Sequence, residues 1–319
     1  MPDRFAAQLL AGEPARDPLA VVERLVVVQA QDPLGFRLAV RARSEGLTAA
    51  DVERALAERA LVVTWLNRGT LQLVRVEDYP WLQALTTPRL ATGVLRRLAQ
   101  EGVTGAAAER AVRTIERALA GEGPQTRAQL RERVRVEGQA LVHVLFLAAI
   151  RGLVVRGPAV SRREQAYVLV RDWLGEQPHV DRDAALRELG RRYLAAHAPA
   201  DERDLASWAG LPLRDARAAL RDAPEPAVAA GEPPPRLLGP YDELLLGWAD
   251  RGWVVGAHRE LVTVNGLFRP FALVGGRAVA TWRLRGGEVE LAPFASLRAA
   301  DEAALAREAE DVRRFLGRG

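Results

Sequence analysis

The sequence predicts an α+β fold, built from tandem winged helix-turn-helix units followed by a small antiparallel β-domain. Three observations lead there. One helix-start pattern recurs three times, and two of those starts run on into strand-turn-strand segments. Beyond a proline-rich stretch the apolar period then changes from helical to two.

Each start places a cap residue, a polar residue three positions on, and then apolar residues at helical spacing. The first is Thr48-Ala-Ala-Asp51 before Val52 and Leu56, and the second is Thr126-Arg-Ala-Gln129 before Leu130 and Val134. The third, Asp201-Glu-Arg-Asp204 before Leu205 and Trp208, is looser, and Gly210-Leu-Pro212 supplies a turn before a helix at 213–220. Leu61–Leu66 and Thr70–Val74 flank Asn67-Arg68-Gly69 as a first hairpin. After a helix over 139–151, Leu153–Val155 and Tyr167–Val170 flank a loop carrying Arg156, Arg162 and Arg163 as a second. Residues 222–236 read as a linker. Past it, turns at Asn265-Gly266, Gly275-Gly276 and Gly286-Gly287 separate short strands, and an amphipathic helix over 296–316 closes the chain as a lid on the sheet. The division is therefore 1–100, 101–175 and 176–230 for three winged-helix units, and 231–319 for the β-domain with its closing helix.

Composition bounds the function. Without cysteine, disulfides and thiolate metal sites are excluded, and a cytoplasmic setting is expected. No apolar run is long enough for a membrane span. Every one of the 45 basic side chains is arginine, because the sequence contains no lysine. A base-composition bias accounts for part of that excess, so arginine number alone does not assign DNA binding. An arginine-rich hairpin tip is more specific, since wings meet phosphate there. His143, His179, His197 and His258 are scattered, and no metal or cofactor is expected. Phosphate-binding, dinucleotide and nucleophile-elbow signatures are missing.

One segment resists a structural explanation, Leu25-Val-Val-Val-Gln29-Ala30-Gln31-Asp32-Pro33. Were 19–31 one helix, Gln29 and Gln31 would lie about 200° apart around its axis and could not share a face. They converge only if the segment unwinds, and Pro33 favours that by disfavouring helix at Asp32. On the residues alone, the pair is either the C-terminal segment of a helix or a catalytic amide pair.

The Gln29-Ala30-Gln31 element with Asp32-Pro33, and Thr64-Trp-Leu-Asn-Arg-Gly-Thr-Leu-Gln-Leu-Val74, resemble the winged-helix DNA glycosylases of the AlkZ/YcaQ family. So do Gly157-Pro158, Arg192–Pro199 with Ser207–Leu211, and Gly239-Pro-Tyr-Asp-Glu243 with the strand from Gly276 to Arg283. The resemblance implies three winged helices and a β-domain around DNA, with Gln29 and Gln31 as the catalytic Gln-apolar-Gln motif of the AlkZ-like branch. The YcaQ-like branch carries Asp at the third motif position. Many relatives have His where this chain has Gln72. The implied activity is excision of cationic N7-alkylated purines, bulky adducts or interstrand cross-links among them, from double-stranded DNA by a monomer associated with the nucleoid. Arg68, Gln72, Arg156, Arg162, Arg163, Arg269, Arg277 and Arg283 are the expected DNA contacts. The competing expectations are a non-enzymatic winged-helix regulator or architectural protein, and a protein-interaction scaffold.

Overall fold

The computed structural model describes residues 2–317 except 137, 162, 225, 227–230 and 264. Internal packing divides the chain into two units, Met1–Ala55 with Leu186–Gly319, and Leu56–Ala185.

In the Leu56–Ala185 unit the three-residue turn Asn67–Gly69 closes a hairpin between Leu61–Leu66 and Thr70–Arg75, registered from Leu61 opposite Arg75 to Leu66 opposite Thr70. Gly69 sits at φ +81, and a Cβ there would lie 2.9 Å from the Phe146 ring, so both the turn and the packing demand glycine. Helices Gly105–Glu122, Arg127–Val134 and Gln139–Ile150 lead into strands Val154–Ser161 and Glu164–Leu169, the winged-helix order of three helices and a hairpin. The middle helix starts on a complete capping box, with Gln129 N donating to Thr126 Oγ1 at 3.2 Å and Thr126 N to Gln129 Oε1 at 2.8 Å. Strand Leu61–Leu66 also pairs with Val154–Ser161, Val63 opposite Arg156, so the two hairpins form one antiparallel sheet. Ile115, Leu130, Leu145, Leu147 and Tyr167 belong to the core beneath it.

In the other unit four antiparallel strands follow the order Arg236–Leu238, Phe271–Val274, Arg277–Arg285, Glu288–Pro293. Alternation sends Phe271 and Leu273 to one core, with Trp248 and Trp253, and Ala272 to another. That second core also holds Trp282, Leu305 and Val312, so helix Ala299–Phe315 lies over the sheet as the expected lid. The other two helix starts follow the sequence pattern as well. Thr48 N and Oγ1 each donate to Asp51 Oδ2 at 2.7 Å, and Asp201 and Asp204 cap helix Glu202–Ala209 reciprocally. That helix ends on Gly210 in the left-handed region. No helix among the described residues is long and apolar enough to cross a membrane.

Candidate active site

The helix entering the glutamine segment is shorter than a helix over 19–31. Asp17 caps it, Pro18 opens it, and it stops at Leu25, where Val26 turns to φ +70. A positive φ is costly for a β-branched residue, and the site is over-determined by burial, since Val26, Val27 and Val28 are at most 1% exposed. Beyond that turn the chain is extended over Val28–Gln29. Freed from helical spacing, the chain passes through buried Ala30 and bends at Gln31. The glutamines therefore meet, with Gln29 Nε2 donating to Gln31 Oε1 at 2.6 Å.

Their environments differ. Gln29 is buried and Gln31 exposed. Gln29 Oε1 has no hydrogen-bond partner among the described residues, an open acceptor in a buried place. Gln29 N donates to Glu243 Oε1 at 2.8 Å, and Glu243 is 2% exposed. Downstream, Asp32 Oδ1 accepts from Leu34 N and Gly35 N, each at 2.8 Å, and so starts helix Gly35–Ala42 directly after the pair. Arg37 reaches back to the Pro33 carbonyl and pairs with Glu53.

The Gly239–Glu243 block closes against this turn. A Cβ on Gly35 would meet Pro240 O at 2.5 Å, so glycine permits a close approach of backbone to backbone. Tyr241 is half-buried at φ +58, and burial and the Asp32 carboxylate together raise its hydroxyl pKa. Asp242 forms a two-pronged, fully buried ion pair with Arg43, at 2.8 and 2.9 Å.

The expected DNA contacts fall in different places. Arg68 and Arg163 are exposed at the two hairpin turns, and Arg162 lies outside the described residues. Arg156 is not in the loop. It lies within strand Val154–Ser161, with its guanidinium 4.0 Å from the Tyr167 ring and 5.2 Å from Trp65, and burial lowers its pKa. Gln72 is 2% exposed, opposite Thr64 across the hairpin, and bonded to Thr70 Oγ1 at 2.6 Å. Arg269 and Arg277 are exposed, and Arg283 is exposed but paired with Glu290 at 2.6 Å. No group of three His, Asp or Glu suited to a metal occurs among the described residues. Asp32 and Glu243 join the glutamines at this site as residues that hold the main chain. An Asx residue before a helix start is a readable signal for Asp32. Glu243 has no local signal, because its partner is 214 residues away.

The chain is similar to a Streptomyces sahachiroi protein named interstrand DNA cross-link repair glycosylase, at 28% identity over 96% of this chain and 93% of that one. Its fold is similar to the structure of Streptomyces sahachiroi DNA glycosylase AlkZ, with a TM-score of 0.79 at 24% identity, covering 99% of this chain and 95% of that one. The model of the family described as DNA glycosylase AlkZ-like matches residues 22–315, and the chain belongs to that family.

Proposed function

We propose that this protein is a monofunctional glycosylase that hydrolyses the N-glycosidic bond of cationic N7-alkylated purines in duplex DNA, acting as a monomer at the nucleoid. Gln29 and Gln31 are its catalytic residues. The observation that carries the reading is the amide pair itself, joined at 2.6 Å with the Gln29 carbonyl oxygen buried and open. That oxygen can accept from a water and aim it at C1′, while Gln31 stands at the surface where a nucleotide arrives.

The chemistry needs little more. In an N7-alkylpurine the leaving base already carries a positive charge, so the electron pair of the breaking C1′–N9 bond neutralises it and no general acid is required. The water oxygen bonds to C1′ and releases its proton to solvent, giving a free neutral base and an abasic site. Amide dipoles stabilise the developing oxocarbenium ion more weakly than a carboxylate does, which confines turnover to labile, cationic lesions. A lyase step through a lysine Schiff base is unsupported, since the sequence has no lysine.

The similarity to a cross-link repair glycosylase supports extending the substrate to bulky and cross-linked N7 adducts, which carry the same cationic purine. The test is incubation with duplex containing N7-methylguanine. Free N7-methylguanine and an abasic strand are expected, with Gln29→Ala and Gln31→Ala each slowing single-turnover release at unchanged DNA affinity. Wild-type rates in both variants remove the catalytic assignment. Binding without any base release returns the chain to the non-enzymatic DNA-binding proteins.

A further inference from the structure

Between helices Pro18–Leu25 and Gly35–Ala42 the glutamine segment has no helical hydrogen bonds of its own to set its height and tilt. Its downstream end is tied by Asp32, and its upstream end by the bond from Gln29 N to Glu243 Oε1. Glu243 is itself held from two sides. Gln8 Nε2 donates to the Glu243 carbonyl at 3.3 Å, and Gln8 Oε1 accepts from Arg43 Nη2 at 2.9 Å. Arg43 grips Asp242 in a pair with no exposure on either side, and Asp242 Oδ1 also accepts from Leu244 N at 2.9 Å. The carboxylate that meets Gln29 thus projects from an anchored main chain into a buried place.

We propose that Glu243 is a positioning residue for the amide pair: its carboxylate fixes the Gln29 main chain and thereby the aim of both side-chain amides. The inference rests on the glycosylase reading of Gln29 and Gln31. Glu243 acts through the Gln29 main chain, from a place where it is only 2% exposed. Its reach is what matters, because a carboxylate one methylene shorter retracts from Gln29 N, whereas a glutamine of equal length still offers a carbonyl oxygen there. Misplacement of a reacting group by an ångström costs up to about 100-fold in rate.

Glu243→Gln and Glu243→Asp separate reach from charge. Three measurements are made on each variant and the wild type: single-turnover release of N7-methylguanine, affinity for the same duplex, and hydrogen exchange of the Gln29 amide followed by NMR. The expected result is a rate within about twofold of wild type for Glu243→Gln and about 10- to 100-fold slower for Glu243→Asp, at equal affinity. The Gln29 amide exchanges faster in the Asp variant alone. A wild-type rate in Glu243→Asp overturns the proposal, as does a Gln variant as slow as the Asp one with the Gln29 amide still protected. A wild-type protein that releases no base sinks the glycosylase reading alone. The exchange data then still decide the anchoring: protection retained in the Asp variant overturns it, and protection absent there but kept in the Gln variant supports it.

Discussion

Gln29 and Gln31 are joined by one hydrogen bond, so on the proposed catalytic reading removing both should cost little more than removing either. A carboxylate at the exposed position is the sharper probe. Gln31→Asp is expected to keep measurable release with altered lesion preference, because a charge stabilises a cationic sugar more than a dipole does. Release rates that simply multiply in the double variant contradict the unit. His197 ties stability to pH in a similarly local way. It has no exposure, stacks on Tyr193 at 4.4 Å between ring centroids, and donates Nδ1 to the Tyr193 carbonyl at 3.1 Å. Burial pushes its pKa from 6.5 down to about 3, with Tyr193 opposing and Arg43 and Arg4 adding to the fall. The folded value lies below the unfolded one, so the unfolded chain takes up the proton first as pH drops. The contribution is complete above pH 6.5 and erodes by about 1.4 kcal/mol per pH unit below it, down toward pH 3. His197→Phe keeps a ring among Tyr193, Trp208 and Trp248 and removes the titration. Urea melts should show its stability falling about 2 kcal/mol less than wild type from about pH 6.5 to 5. An acid slope equal to wild type excludes His197 as the source.

A helix is defined as much by its ends as by its length. Thr126 and Gln129 satisfy two backbone N–H groups at the start of Arg127–Val134, and Thr126→Ala should lower stability by about 1 kcal/mol. The Val26 turn sets two effects against each other. Val26→Gly relieves a strained φ worth about 1 kcal/mol, but it deletes a fully buried isopropyl group worth about 2–3 kcal/mol. Burial wins, so the variant is expected to be less stable by about 1–2 kcal/mol, with an earlier urea midpoint and an unchanged m value. A stabilised Val26→Gly variant shows that backbone strain outweighs packing at this turn.

For the protein as a DNA binder, arginines should contribute according to what already holds them. Exposed Arg163 and Arg277 are free to meet phosphate, whereas Arg283 must first leave Glu290. Every phosphate that goes without its arginine reduces the salt slope of log affinity by about one. Arg163→Ala and Arg277→Ala are therefore expected to weaken duplex binding at low salt and flatten that slope, and Arg283→Ala to do so less. Arg156, already stacked on Tyr167 and Trp65, should report mainly on stability. Fluorescence anisotropy from about 50 to 200 mM salt checks this. Affinity unchanged across that range removes phosphate neutralisation as the basis of binding.

Much of the architecture was legible because its signals are local. The pairs Thr48 and Asp51, Thr126 and Gln129, and Asp201 and Asp204 start the helices they announce, for a cap needs a partner only three residues away. The short turns and period-two strands of the β-domain were equally plain. The glutamine pair was visible as an anomaly, and its family resemblance supplied the motif. The departure from helix that lets the two side chains meet follows from the turn at Val26, where burial of three consecutive valines outweighs helix continuation. No local rule puts a valine at positive φ. Nor does one place Arg156 between aromatic rings, join two hairpins into one sheet, or bring Glu243 to the amide of Gln29. Those outcomes depend on interactions between residues far apart in the chain, whose free energy exists only once the packed core brings them together. Sequence alone determined the capped helix starts, the short turns and the candidate amide pair, because their signals are local; the tertiary structure decided how those two side chains are aimed, because the contacts that aim them join residues far apart in the chain.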